Sequence, residues 1–246
     1  MSESPLYFLI GHGSKSAEHR KAFEILVQNF KSSYPQLKVE YGFLDYCEPK
    51  AETTLDKISQ SEKCIHILPV FLSKASHTLS DIPHLLNSLK AKHKNLQVHL
   101  AEPLGEHPAI YTVIEKELST LIHLKNWNPD ETDILILGRG SSITTSLNFI
   151  TTLAENLKLK FLHTQACFWD IAEPSFEQTL LSSRKKNLIV QPMFLFPGLL
   201  LDKVEKLLKQ HYATKEPRCY EVNKTLFQMP GFNEILHQQA LSSKPF

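Results

Sequence analysis

Tyr7-Phe8-Leu9-Ile10-Gly11-His12-Gly13-Ser14 decides the fold, because it returns in altered form as Ile134-Leu135-Ile136-Leu137-Gly138-Arg139-Gly140-Ser141. Each copy is a short apolar run that stops at glycine, the pattern of a buried parallel strand ending in a tight turn. Two further motifs repeat in the same order. Phe43-Leu44-Asp45-Tyr46-Cys47-Glu48-Pro49 returns as Phe168-Trp169-Asp170-Ile171-Ala172-Glu173-Pro174. Leu68-Pro69-Val70-Phe71-Leu72 returns as Gln191-Pro192-Met193-Phe194-Leu195. The spacing shrinks slightly from one motif to the next, as small deletions would make it, so the chain is an internal duplication. Glycine is scarce, at 8 residues, yet half of them sit in the two Gly-x-Gly-Ser copies, where the backbone needs them.

Outward from these motifs, each half alternates strands and helices. In the first half strands are expected over 6–10, 39–44, 64–71 and 96–101, and helices over 15–31, 50–59, 80–91 and 107–123. Ala22, Phe23, Leu26, Val27 and Phe30 make one helical stripe, and Ser14 or Ser16 can cap that helix. The second half repeats the order, with strands over 133–137, 160–168, 187–194 and 219–222. The fold class is α/β: two similar lobes, each a mostly parallel sheet flanked by helices. The polar stretch 125–131 marks the join, so the lobes are assigned to 1–128 and 129–246.

Composition narrows the function. Of 246 residues 42% are hydrophobic and 22% charged, which excludes a disordered chain. The formal charge of +1 lacks the strong positive field that non-specific nucleic-acid binding needs. No apolar run approaches the ~20 residues of a membrane span, and Met1-Ser2-Glu3-Ser4-Pro5 carries no signal-peptide pattern, so a cytoplasmic protein is expected. Cys47, Cys64, Cys167 and Cys219 are scattered without a CxxC pair and are read as reduced thiols, mostly interior.

In an open parallel sheet, ligands bind beyond the carboxyl ends of the strands. In the first half that edge carries His12, Asp45, Glu48 and the segment 73–78 with His77. The Gly-His-Gly-Ser turn is not a dinucleotide fingerprint, because Ala17 and Glu18 follow and no third glycine does, nor is it a nucleophile elbow. Its bland reading is a tight turn with an incidental histidine. The duplication argues otherwise. Where the first half has His12 the second has Arg139, and where the first has His77 the second has a shorter segment, 196–201, without histidine. Both imidazoles vanish together while the framework persists. Two neutral imidazoles and a carboxylate suit a borderline divalent ion such as Co²⁺, Fe²⁺, Ni²⁺ or Zn²⁺, rather than Mg²⁺ or Ca²⁺.

These residues, with Gly42-Phe43-Leu44-Asp45, Asp81-Ile82-Pro83 and Ala101-Glu102-Pro103-Leu104-Gly105, resemble the sirohydrochlorin chelatases, the class II chelatases of cobalamin and siroheme synthesis. Gly-Arg-Gly-Ser and Asp-Ile-Ala-Glu-Pro resemble the C-terminal domain of two-domain members, and the likeness runs from about residue 6 to about residue 240. The resemblance implies an ATP-independent, nucleotide-free enzyme that inserts Co²⁺ into sirohydrochlorin, with Fe²⁺ insertion as the close alternative and Ni²⁺ as a further ion. His12 and His77 match the family's metal-binding pair. Asp45 stands where the family usually has glutamate. Being one methylene shorter, it suits a water-bridged or proton-accepting role, which one of the histidines could equally fill.

The polycarboxylate substrate needs local positive charge and hydrogen-bond donors, for which Lys74, Ser76 and Arg139 are the candidates. Glu48 and Glu173 occur in both copies and are read as helix caps. His66 falls within an apolar strand and is read as a hydrogen-bonded interior residue. His19, His84, His93, His99, His107 and His123 are read as surface. No nucleic-acid or membrane partner is expected, and the chain is expected to be a monomer or homodimer. A non-catalytic metal or tetrapyrrole carrier is the competing class.

Overall fold

In the computed structural model, residues 5–72, 76–142, 144–213 and 218–246 are described; within them the side chains at 76–79, 106 and 145 are not. The elements follow in order: β1 (Leu6–Gly11), α1 (Ala17–Ser33), β2 (Lys38–Phe43), α2 (Ala51–Ile58), β3 (Cys64–Pro69), α3 (Ser76–Lys92), β4 (Gln97–Leu100), α4 (Ala109–Leu124), β5 (Thr132–Gly138), α5 (Thr144–Lys158), β6 (Thr164–Phe168), α6 (Phe176–Ser182), β7 (Asn187–Pro192), α7 (Leu199–Ala213), β8 (Cys219–Val222), α8 (Phe232–Leu241) and β9 (Lys244–Pro245). One sheet has the order β2-β1-β3-β4-β9 and the other β6-β5-β7-β8. All pairings are parallel except β4 with β9. The α/β class with two mostly parallel sheets is therefore as the sequence indicates. The short strand β9 was not anticipated. It covers the edge of β4, which would otherwise present unpaired backbone.

The chain divides into two compact units: unit 1 is Met1–His107 with Asn233–Phe246, and unit 2 is Pro108–Phe232. The repeat boundary near 128 and the packing boundary thus differ. Helix α4, the last helix of the first repeat, packs within unit 2, and α8, the last of the second, packs within unit 1.

Strand alternation assigns the two faces of each sheet. In unit 1, Leu6, Phe8, Ile10, Ile65, Ile67 and Val98 pack with Ala51 and Leu55 of α2 and Ile82, Leu86 and Leu89 of α3. On the opposite face α1 buries Ala22, Phe23, Leu26, Val27 and Phe30, with Phe23 against Tyr41 and Phe43. Each large side chain so buried contributes about 1.5–3 kcal/mol. Of the two expected caps, Ser16 opens α1, its Oγ accepting from the His19 N–H. Helix α8 closes the same unit. The Tyr34 hydroxyl donates to Glu234 at 2.7 Å, and Gln239 Nε2 donates to the carbonyls of Pro69 and Glu102 at 3.0 and 2.7 Å.

Unit 2 repeats the plan. Leu135, Leu137, Leu188 and Val190 pack with Phe176 and Leu180 of α6 and Val204 and Leu208 of α7. Helix α4 is held by ion pairs from Glu115 to Lys160 and from Glu117 to Lys224. Among the described residues, no helix is long and apolar enough to cross a membrane.

Candidate functional site

The parallel register of unit 1 sets Gly11 beside Phe43 and Ile10 beside Pro69, so β1, β2 and β3 end level with one another. Whatever follows them is gathered at one edge. His12 follows β1, the Leu44–Asp45 turn follows β2, and α3 begins beyond β3. Backbone hydrogen bonds tie the edge together: Leu44 N–H donates to Gly11 at 2.9 Å, Asp45 N–H to His12 at 2.8 Å, and Val70 N–H to Ile10 at 2.9 Å. Gly13 sits at φ 90°, and a Cβ there would overlap the Asp45 carbonyl oxygen, so only glycine lets the two loops meet.

His12 is half-buried, and its ring meets Tyr46 edge-on at 5.5 Å between centroids. Lys15 Nζ lies 5.9 Å from the same tyrosine ring. Behind it, His19 is held below the ordinary imidazole range, first by burial and then by the neighbouring His12.

Asp45 is exposed and lines an open cleft of ≈ 490 Å³ together with Leu44, Glu52, Asp81, His84 and Ser88. The structure therefore adds Glu52 and His84 to the cleft. His84, read from sequence only as a surface histidine, is exposed but forms part of this wall. The signal lay in the spacing along α3: positions 77, 81, 84 and 88 follow one helical stripe, three of them facing the cleft. His77 lies in the first turn of α3, at the same sheet edge as His12 and Asp45. The side chains of His77 and Ser76, and the whole of Lys74, lie outside the described residues. The described part of this edge thus carries one half-buried imidazole, His12, whose carbonyl holds the Asp45 amide, and a cleft that Asp45 lines with Glu52, Asp81 and His84. Neutral imidazole and carboxylate donors hold borderline divalent ions, and the carboxylates accept protons.

Unit 2 carries the same loop skeleton without that chemistry. Trp169 N–H donates to Gly138 at 3.0 Å, Asp170 N–H to Arg139 at 2.8 Å, and Met193 N–H to Leu137 at 2.8 Å. Gly140 has φ 95°, and its missing Cβ would strike the Asp170 carbonyl oxygen. Arg139 is exposed in the place that His12 holds in unit 1. Glu48 and Glu173 also play matching parts, each accepting from the backbone N–H two residues on, at 2.9 Å from Lys50 and 2.8 Å from Ser175. Those residues open α2 and α6, so the two glutamates serve helix starts, as their presence in both copies suggests.

Comparison with known proteins agrees with this geometry. The family model described as CbiX matches the chain twice, over residues 6–121 and 133–242. A sirohydrochlorin cobaltochelatase of Priestia megaterium is 24% identical over 241 residues, spanning 94% of this chain and 77% of the relative. A sirohydrochlorin ferrochelatase of the same organism is 25% identical over 242 residues, spanning 95% of this chain and 89% of the relative. Among solved structures, SirB from Bacillus subtilis with Fe³⁺ superposes with a TM-score of 0.80 at 18% identity, covering 97% of this chain and 96% of that one. At that identity the structural likeness is one of fold.

Proposed function

This chain belongs to the CbiX family of sirohydrochlorin chelatases, and from that premise we propose that it inserts Co²⁺ into sirohydrochlorin without ATP, at the sheet edge of unit 1. Insertion exchanges two pyrrole N–H protons for one divalent cation. The protein has to hold the cation on few, exchangeable ligands and take up the protons. His12 and His77 grip the incoming ion through neutral imidazole nitrogens, which release it more readily than thiolates would. A nitrogen bound to metal cannot accept a proton, so that task falls to Asp45, an exposed carboxylate whose amide is fixed to the His12 carbonyl. Asp81, Glu52 and His84 continue the polar wall along the cleft and can pass protons on to solvent. Lys74, Ser76 and Arg139 hold the substrate's carboxylates.

The observation that carries this reading is the comparison of loops. His12 and Arg139 occupy turns with the same hydrogen bonds and the same obligatory glycine. The turn does not need histidine in order to fold, so the imidazole in unit 1 is there for chemistry. Co²⁺ is placed ahead of Fe²⁺ on the resemblance of the two-domain form to the cobalt enzymes; the affinity order of divalent ions at nitrogen and oxygen donors does not make the choice.

The test is an anaerobic absorbance assay of sirohydrochlorin with Co²⁺, Fe²⁺ and Ni²⁺ side by side. Catalysed insertion is expected, fastest with Co²⁺. His12→Ala and His77→Ala should each lower the rate by more than the 10–100-fold that loss of an outer-shell partner costs a metal site. Near-normal rates in both variants would overturn the assignment. Fastest turnover with Fe²⁺ would make the protein a ferrochelatase, and a stoichiometric spectral change without turnover would make it a carrier.

A further inference from the structure

A second set of metal-binding side chains lies in unit 1, away from the strand ends. Cys64 and His66 point to the same face of β3, and the register sets His66 directly opposite His99 of β4. One ligand atom from each of the three lies within 4.8 Å of the others, and all three residues are half-buried. The two imidazoles stack at 4.5 Å between centroids with their planes 17° apart. His66 stands level with Tyr7 on β1, five residues before His12, which puts the cluster about 16 Å along the strands from the chelatase edge.

The surroundings already orient one ligand. Ser243 Oγ donates its single proton to the Ala240 carbonyl at 2.7 Å and lies 2.6 Å from His66 Nδ1. It can only accept from that ring, so Nδ1 carries the proton and Nε2 keeps the lone pair that a metal takes. An outer partner fixing a histidine's tautomer in this way is the usual support of a metal ligand.

Unit 2 shows that the fold does not require these groups. The matching registers place Asn187, Ile189 and Glu221 where unit 1 has Cys64, His66 and His99. Ile189 is fully buried there, so an aliphatic side chain fills the equivalent place. Packing alone therefore explains neither the imidazole pair nor the thiol.

We propose that Cys64, His66 and His99 form a second cation site, suited to Zn²⁺ and able to take Co²⁺, distinct from the site that handles the substrate metal. One thiolate and two imidazoles with an open fourth position match a tetrahedral ion of this class. Binding replaces the Cys64 S–H bond with an S–metal bond and releases the proton to solvent. The sequence reading of His66 as a hydrogen-bonded interior residue agrees with its bond to Ser243, whereas His99, read as surface, is half-buried against it.

The full-length, metal-free protein is titrated with Co²⁺ in the absence of tetrapyrrole. Expected is a thiolate-to-cobalt charge-transfer band in the near ultraviolet, displaced by Zn²⁺. The band should persist in the His12→Ala/His77→Ala double variant and disappear in Cys64→Ser. Ser243→Ala, which leaves all three ligands in place, should weaken the affinity about 10- to 100-fold. Circular dichroism shows whether Cys64→Ser remains folded; if it does not, His99→Asn replaces it, with loss of the band again expected. No band in the wild-type protein, a band that survives in a folded Cys64→Ser or His99→Asn variant, or one that vanishes with His12 and His77 would overturn the proposal. None of these readings depends on metal insertion.

Discussion

Units 1 and 2 share a skeleton and differ in what hangs from it. Both have a strand ending in Gly-x-Gly, an aspartate whose amide closes the neighbouring loop, and a glutamate before a helix start. Among the side chains that vary between the units are His12 against Arg139, and Cys64, His66 and His99 against Asn187, Ile189 and Glu221. What agrees between the copies is what the turn or the sheet needs in order to form. What disagrees was free to be spent on ligands. Asp45 is the hardest case, because Asp170 keeps the carboxylate in unit 2 and both side chains are exposed.

That case gives the largest predicted effect after the loss of His12 or His77. Asp45→Asn should lower the rate of metal insertion about 100-fold, the low end of what a positioned proton acceptor contributes, while Asp170→Asn leaves it unchanged. Asp45→Glu should retain most of the rate. Equal rates in Asp45→Asn and wild type would return the aspartate to the shared skeleton.

The glycines come next. Gly13→Ala and Gly140→Ala each force a side chain against an aspartate carbonyl at positive φ, which should cost about 1–3 kcal/mol. Calorimetry should show a similar fall of Tm in both, about 2–4 °C for each kcal/mol. Gly13→Ala should slow insertion more than Gly140→Ala, because the loop it displaces carries the metal-binding His12, whereas the other carries Arg139, one of several groups that hold the substrate's carboxylates. A Gly140→Ala variant as slow as Gly13→Ala would end the functional distinction between the turns.

The smallest effect concerns how each unit holds its closing helix. Helix α4 is held in unit 2 by ion pairs, whereas α8 is held in unit 1 by the Tyr34–Glu234 hydrogen bond. Burial, then Glu234, pushes Tyr34 up to about 12, and the same bond keeps Glu234 below its ordinary value of 4.5. A raised phenol favours the fold fully below its unfolded value of 10.0, and this is lost as pH rises through about 12. A lowered carboxyl favours the fold above 4.5, and this is lost as pH falls below it. Thermal melts across pH should therefore lose this contribution at both extremes in the wild type, and Tyr34→Phe should flatten both limbs. Unchanged limbs in Tyr34→Phe would place the anchoring of α8 elsewhere, for example in Gln239.

Much of this architecture was readable from residue patterns. Apolar runs stopping at glycine marked β1 and β5, apolar runs also marked β3 and β7, though expected to continue two residues past Pro69 and Pro192, and the level strand ends follow from their parallel pairing. His12 and Asp45 were accessible to the same reasoning because the carboxyl edge of a parallel sheet is where ligands bind. The exchange of α4 and α8 was not. Ile110, Ile114, Leu118 and Ile122 announce that α4 buries one face, but both sheets offer a similar apolar surface, and periodicity cannot say which one receives it. Glu52 and His84 escaped because exposed polar residues on helices look solvated until a cleft is seen beside them. His99 escaped because Ser243, the group that organises its stacked neighbour His66, comes from the far end of the chain. The thiols were read as mostly interior, yet only Cys167 is fully buried; Cys47 and Cys64 are half-buried and Cys219 is exposed.

The traded helices also set an order of assembly. As the chain leaves the ribosome, every segment of unit 2 has been made once residue 232 is out, while unit 1, though begun first, still waits for α8 and β9. The lobe bearing the imidazoles is started first and finished last.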